Sequence, residues 1–294
     1  MQTYTAAVRH EGLSFGEAPR WHEGRLWYSD FYRHGVFSLG SDGERLELEV
    51  PTQPSGLGWR DGGTLLVVSM TDQRVLAVAP DGTTSLLADV AEHCGYWAND
   101  MVVAADGTAY VGNFGFDFDA WVEGLASRPQ GAEIPAPPTA ALVVLAPDGA
   151  VRQVVEGLSF PNGAVLSDDG RTLVVAETLG RRLTAFDVAT DGTLSARRTF
   201  AEVDGFPDGI CLDAEGQVWF ANAIAPECLR VAEGGELTAR VTTTQVSFAC
   251  MLGGEDRRTL FAMTAPVSTA TKVSVARDGK VEAALVDVPG AGRP

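Results

Sequence analysis

The 294-residue sequence predicts an all-β protein, a six-bladed propeller with four-stranded antiparallel blades. Three observations carry that expectation. Short apolar runs recur at intervals of about 40 to 46 residues, with one interval of about 60, and this range is that of a four-stranded blade. Asp-Gly occurs about ten times between such runs, and it is the strongest short hairpin signal because type I′ turns need positive φ at both central residues. No stretch keeps a 3.6-residue apolar period over about 12 residues, and only the region 88–98 admits a short helix.

The elements follow in chain order. The six runs are LWYSDF, LLVVSM, AYVGNF, LVVAET, VWFANA and LFAMTA, each behind a turn signal: EGR, DGGT, ADGT, DDGRT, AEGQ and EDRRT. Their Val, Leu and aromatic side chains suit a pleated, half-buried surface. Upstream of each run lies a second segment, in turn GEAPRWH, SGLGWR, NDMVVA, NGAVLS, DGICLD and ACMLGG, which is expected as the channel-lining strand of its blade. The outer strands are legible in places, as in RRLTAFDVATDGTLSARRTF, which reads strand, turn, strand. The long interval is caused by GFDFDAWVEGLASRPQGAEIPAPPTA, residues 115–140, where prolines and glycines exclude a long regular element. This is expected as an inserted loop, either a lid over one mouth of the channel or a surface excursion without a role. Residues 1–294 then form one propeller domain, and a chain of about 300 residues buries roughly three quarters of its unfolded surface.

The charge balance, 22 Lys+Arg against 39 Asp+Glu for a net −17, argues against nucleic acid, which needs a basic footprint, and against anionic membrane surfaces. It suits a soluble protein able to attract cations. No run approaches the roughly 18 apolar residues of a membrane span. The N-terminus MQTYTAAVRHEG has no apolar signal core, so the expected location is cytoplasmic. Cys94, Cys211, Cys228 and Cys250 are far apart with no CxxC pair, and they read as structural thiols.

Aligning the six channel segments puts Glu17, Gly56, Asn99, Asn162, Asp208 and Ala249 at one phase of the repeat. Strands that line one channel would bring these residues to a common axis, and converging acidic and amide oxygens describe a hard-cation site. Asx before Gly also forms turns, so FPNG and FPDG admit a purely structural reading. Glu17 does not, because Glu favours neither turns nor strands. A competing signal, Gly12-x-Ser14-x-Gly16, has the form of a serine nucleophile elbow. That elbow needs a strand-to-helix turn, whereas Ser14 precedes β pattern, and GLSF recurs at 157–160 as a feature of the repeat. His10, His22, His34 and His93 do not track the repeat phase, and no phosphate-binding glycine motif is present.

GEAPRW, AND with YVGN, FPNGAVLSDDGRTL and FPDGICLDAEGQVWFAN together resemble the senescence marker protein / gluconolactonase / luciferin-regenerating enzyme family, over roughly residues 13–265. The resemblance implies a six-bladed propeller with one divalent cation on the axis and lactonase activity. It implies Glu17, Asn162 and Asp208 as metal ligands and Asn99 as a substrate contact, the residues that the repeat phase also selects. One position departs from the family's pattern. Where sugar lactonases often carry an arginine two residues before that asparagine, this chain has Trp97, which removes up to five donors and adds apolar surface. With Phe114, Phe116, Phe118 and Trp121 nearby, the expected substrate is less polar than an aldonolactone, with Asp117 and Asp119 as candidate partners for a hydroxyl or amine.

The implied chemistry is hydrolysis of lactones or related cyclic esters: the cation polarises the carbonyl and activates water, and Asp208 takes the proton. All-oxygen ligands point to calcium first, with magnesium, manganese or zinc as alternatives. Two other functions remain open from sequence. One is a tailoring isomerase or cyclase using the same metal site, and the other is a calcium-binding protein without turnover.

Overall fold

The structure, a computed structural model, describes residues 1–128 and 135–291. Six sheets are arranged as the blades of a propeller. The innermost strands are Pro54–Trp59, Ala98–Val103, Pro161–Leu166 and Pro207–Leu212 in blades 2 to 5, with Gly16–His22 in blade 1 and Val246–Gly253 in blade 6. Each pairs antiparallel with the apolar run that follows it. The core is divided into clusters between adjacent blades, as successive Val, Leu and Phe faces close on one another.

Ring closure is the part the sequence did not announce. Blade 6 draws only three strands from the C-terminal end of the chain, and its outermost strand is Ala7–Leu13, antiparallel to Gly279–Leu285. Just before it, Gln2–Thr5 adds a parallel fifth strand to blade 5, alongside Leu237–Thr242.

Five of the ten Asp-Gly pairs form turns of one geometry, different from the one expected, whereas Asp208-Gly209 lies inside the innermost strand Pro207–Leu212. In Ala79-Pro80-Asp81-Gly82 the glycine N–H donates to Ala79 O (2.8 Å), and Ala79 N–H closes onto Thr83 O (2.9 Å). Gly82 has φ +85° while Asp81 stays at negative φ, so this is a type I turn followed by a left-handed glycine rather than a type I′ turn. The aspartate is spent locally, since Asp81 Oδ1 accepts from Thr83 N–H (2.9 Å). The same plan recurs at Gly107, Gly149, Gly170 and Gly192.

Every innermost strand carries a register shift near its start, between 17 and 20, 54 and 57, 98 and 101, 161 and 164, 207 and 210, and 247 and 249. A bulge bends its strand and re-aims a side chain, and here six bulges at one phase turn one residue per blade toward the axis. The inner strands also approach backbone to backbone: a Cβ on Gly163 would stand 2.6 Å from Ile210 N, and one on Gly209 2.6 Å from Ala249 Cα. Gly209→Ala is therefore expected to lower stability by about 1–3 kcal/mol through overpacking. An unchanged urea midpoint would show that the inner strands can part to admit a methyl group.

The inserted segment contains more order than its glycines and prolines suggested. Phe118–Ala126 forms a nine-residue helix, α1, capped by Asp117, whose Oδ1 accepts from Ala120 N–H (3.0 Å). A short helix α2, Ala270–Val273, lies in blade 6. The stretch 129–134 of the insertion lies outside the described residues. In the region 88–98 only a 3-10 turn forms, Ala91–His93.

Candidate functional site

One cavity of about 720 Å³ opens at the end of the channel where the innermost strands begin. Its wall is built from three positions repeated in the blades. The deepest ring holds residues re-aimed by the bulges, Glu17, Asn99, Asn162, Asp208 and Phe248, and Ser55 holds the same position in blade 2 without bordering the cavity. This corrects the sequence alignment at two places, since Ser55 and Phe248 occupy the positions assigned to Gly56 and Ala249. The bulge places two residues against one partner, so the phase slips by one where no carboxylate or amide side chain marks it. Above it stands the residue preceding the inner strand, Phe15, Gln53, Trp97, Phe160 and Phe206. Each of these accepts, through its backbone carbonyl, from the residue that ends the apolar run: Phe31, Met70, Phe114, Thr178 and Ala223. All ten of these residues line the cavity.

The structure brings Glu17, Asn99, Asn162 and Asp208 together at this cavity, each no more than 8% exposed. Asn99 donates from Nδ2 to Asn162 Oδ1 (3.3 Å) and accepts at Oδ1 from Ser55 Oγ (3.0 Å). Asn162 donates from Nδ2 to Thr178 Oγ (3.2 Å). Among the described residues no side chain donates to the carboxylates of Glu17 or Asp208; Glu17 accepts only from the Ala18 N–H (3.1 Å). Burial first, and then the charges of Asp208 and Asp100, push the Glu17 carboxyl well above the usual range. Burial and then Asp100 do the same to Asp208.

Asp100, which the repeat phase does not mark, lies beside them with a buried Oδ1 that has no hydrogen-bond partner among the described residues. Burial raises its pKa, against the pull of Arg20. Arg20 closes the channel beneath, with its guanidinium donating to the carbonyls of Leu57 (3.1 Å), Pro19 (2.8 Å) and Met101 (2.7 Å). Each of its three nitrogens donates to a backbone carbonyl, and among the described residues it forms no ion pair with a carboxylate, so it acts as a counter-charge at a distance.

Trp97 and Asp117 also line the cavity, though in different ways. Trp97 stacks on Tyr96 with ring centroids 4.9 Å apart and adds apolar wall. The Asp117 carboxylate is already committed, to the cap of α1 and to the Tyr96 hydroxyl (3.1 Å). From the insertion, Phe116 and the first residue of α1, Phe118, gather with Phe114 around Phe160, whose ring centroid is 5.1 Å from both Phe114 and Phe118. Asp119 accepts from the Ala270 backbone N–H, which ties α1 to the start of α2.

Ser14 is elsewhere. Its hydroxyl donates to Ala276 O (3.1 Å) and contacts Arg277, it is 1% exposed, and it does not border the cavity. No histidine borders it either. Cys211, Cys228 and Cys250 cluster in the core between blades 5 and 6, where burial and the neighbouring thiols raise the Cys250 pKa and keep it inert.

Residues 15–266 match the family described as SMP-30/Gluconolactonase/LRE-like region. The chain belongs to this family. The SMP-30/gluconolactonase relatives include regucalcin of Danio rerio, 28% identical over 276 residues that make up 88% of this chain and 85% of the relative. Among solved structures, a calcium-binding protein, regucalcin, from Agrobacterium tumefaciens has the same fold with a TM-score of 0.79 at 20% identity, covering 100% of this chain and 98% of its own. A gluconolactonase from Xanthomonas campestris gives a TM-score of 0.70 at 24% identity, covering 96% and 89%. Among the described residues no helix is long and apolar enough to cross a membrane.

Proposed function

We propose that this family member is a divalent-cation-dependent hydrolase of lactones or related cyclic esters, with calcium the first choice of cation and magnesium, manganese and zinc the alternatives. The observation that carries the reading is the pair of buried carboxylates, Glu17 and Asp208, facing a substrate-sized cavity with, among the described residues, no cationic side chain hydrogen-bonded to either. Left alone, such charges repel and are forced toward protonation. The residues fit a cation, because a divalent ion would relieve that repulsion and that of the orphaned Asp100 oxygen as well. Among the described residues no three carboxylates, imidazoles or thiolates converge to hold an ion by themselves. The ligand set would therefore be Glu17, Asp208 and the amide oxygen of Asn162, all hard donors.

When bound, the cation would supply Lewis-acid polarisation of the ester carbonyl and a water of lowered pKa. The chain's own groups do the rest. A free carboxylate oxygen of Asp208 takes the proton of the attacking water as the new C–O bond forms, and that proton is passed to the ring oxygen as the ester bond breaks. Asn99 holds a substrate oxygen through its remaining Nδ2 proton. The aromatic collar of Phe15, Trp97, Phe160 and Phe206 binds the body of the substrate and excludes water. A protein that only stored calcium would need the carboxylates but not the cavity above them.

Chelator treatment is expected to abolish lactone hydrolysis and calcium to restore it, with products heavier than substrates by one water. Full activity after chelation would sink the reading, and a product of unchanged mass would point to isomerisation. The collar and Trp97 also set the substrate range. Aryl- or alkyl-substituted lactones are expected to exceed gluconolactone at least about tenfold in kcat/KM, a difference of about 1.4 kcal/mol. The reverse preference would show that the cavity reads hydroxyls through groups other than the missing arginine.

A further inference from the structure

In the ring that ends the apolar runs, Phe31, Met70, Phe114 and Ala223 carry no hydroxyl, and Thr178 does. Its Oγ lies 2.7 Å from the carbonyl oxygen of Pro207. A carbonyl only accepts, so the hydroxyl proton is committed there. Oγ is left as an acceptor, and the Asn162 atom 3.2 Å away must be Nδ2. Asn162 Oδ1 is thereby turned to the other side, where it meets the Asn99 amide at 3.3 Å. An amide oxygen cannot donate, so the facing Asn99 atom is also Nδ2. Asn99 Oδ1 then points at Ser55, whose hydroxyl donates across 3.0 Å. Four hydrogen bonds run in one direction, from Ser55 through Asn99, Asn162 and Thr178, and end on a backbone carbonyl that cannot reverse them.

We propose that Thr178, anchored on the Pro207 carbonyl, is a positioning residue that gives the two asparagines opposite roles. Asn162 keeps one oxygen lone pair for a cation, and Asn99 keeps one N–H for a substrate oxygen. Without the anchor either amide could turn over, and an Asn162 NH2 group facing a cation is repulsive. The roles rest on the hydrolase reading above, whereas the orientation rests only on the hydrogen-bond chain.

The direction of the chain makes an asymmetric prediction. Thr178→Val keeps the volume and removes the hydroxyl, and is expected to lower calcium affinity about 10- to 100-fold in calorimetric titration, the range for losing a group that orients a ligand. Thr178→Ser restores Oγ and should recover most of that affinity. Ser55→Ala cuts the chain at its far end, leaves the anchor in place, and should cost less calcium affinity than Thr178→Val. In the calcium-free protein, the side-chain amide protons of Asn162 should exchange slowly with solvent in the wild type and in Thr178→Ser, and faster in Thr178→Val. Wild-type calcium affinity in Thr178→Val overturns the inference. So does a Thr178→Ser variant as impaired as Thr178→Val, or a Ser55→Ala loss as large as that of Thr178→Val. Should the wild type bind no calcium, the hydrolase reading falls and the amide exchange alone decides this inference. An unprotected Asn162 amide in folded wild-type protein overturns it without any variant.

Discussion

Glu17→Gln is expected to lower divalent-cation affinity by about 100-fold or more and to take kcat down with it, because groups that merely orient ligands are already worth about 10- to 100-fold. The substitution keeps the shape of the side chain and removes one of two anionic ligands at a buried site. Thermal stability gives a readout independent of turnover. At a cation concentration of 100 times the wild-type Kd, binding stabilises the folded state by about 2.7 kcal/mol, and a 100-fold weaker variant gains only about 0.4 kcal/mol. The wild-type melting temperature should therefore rise with added calcium while that of Glu17→Gln barely moves, and excess cation should partly restore its activity. Ser14→Ala should leave cation affinity and kcat unchanged, since its hydroxyl is tied to Ala276 O away from the cavity. If Ser14→Ala abolishes activity while chelated wild type stays active, the metal reading is wrong.

Glu177→Gln is expected to lower stability by about 3 kcal/mol. The Glu177 carboxylate is fully buried at the end of the second strand of blade 4, where it accepts from Arg182 Nε (2.9 Å), Arg182 Nη2 (2.8 Å), Arg197 Nη2 (3.1 Å) and Ser159 N–H (2.7 Å), and also from Thr184 Oγ. A glutamine sets an NH2 group against one of these donors. The expected loss is at the low end of the about 3–5 kcal/mol for a broken buried pair, because Arg182 and Arg197 are 35% and 34% exposed and can rehydrate. At roughly 2–4 °C per kcal/mol, the melting temperature should fall by about 6–12 °C. Burial alone would raise the Glu177 pKa, but the hydrogen bonds of Arg182, Ser159 and Thr184 prevail and hold it below its ordinary value of 4.5. The folded-state value is thus lower than the unfolded one, so the carboxylate's contribution is complete above about pH 4.5 and is lost as the pH falls through the lowered value. Urea unfolding should show a constant gap between wild type and variant from neutral pH down to about 5, closing below 4.5. A gap that stayed open in acid would mean that packing, not the ion pairs, separates the two proteins.

The blades and the four polar residues of the axis were legible in the sequence because each is a repeated event, and repetition at one phase survives the loss of any single copy. Glu17 stood out further because neither strand nor turn explains a glutamate there. What repetition could not show was the contribution of single blades. The slip from Gly56 to Ser55 and from Ala249 to Phe248 came from bulges, which add a residue without leaving a mark in composition. Asp100 and Arg20 were hidden because their partners are carbonyls and charges from other blades. Thr178 was within reach, since it is the last letter of LVVAET and its five counterparts in the other runs are Phe31, Met70, Phe114, Ala223 and Ala265. Helix α1 was missed because its one glycine and flanking prolines argue against a helix locally, whereas the aromatic contacts that hold it come from Phe160 in another blade.

The way the ring is fastened sets a timetable for the nascent chain. Residues 2–13 leave the ribosome long before their partners, residues 237–242 and 279–285. At about 5–20 residues per second, the wait between them is roughly 12–55 seconds. Throughout that time these two strands lack the edges that blades 5 and 6 later present. Glu17 follows directly behind this waiting segment, so it borders a stretch whose pairing is completed only once residues 279–285 have been made.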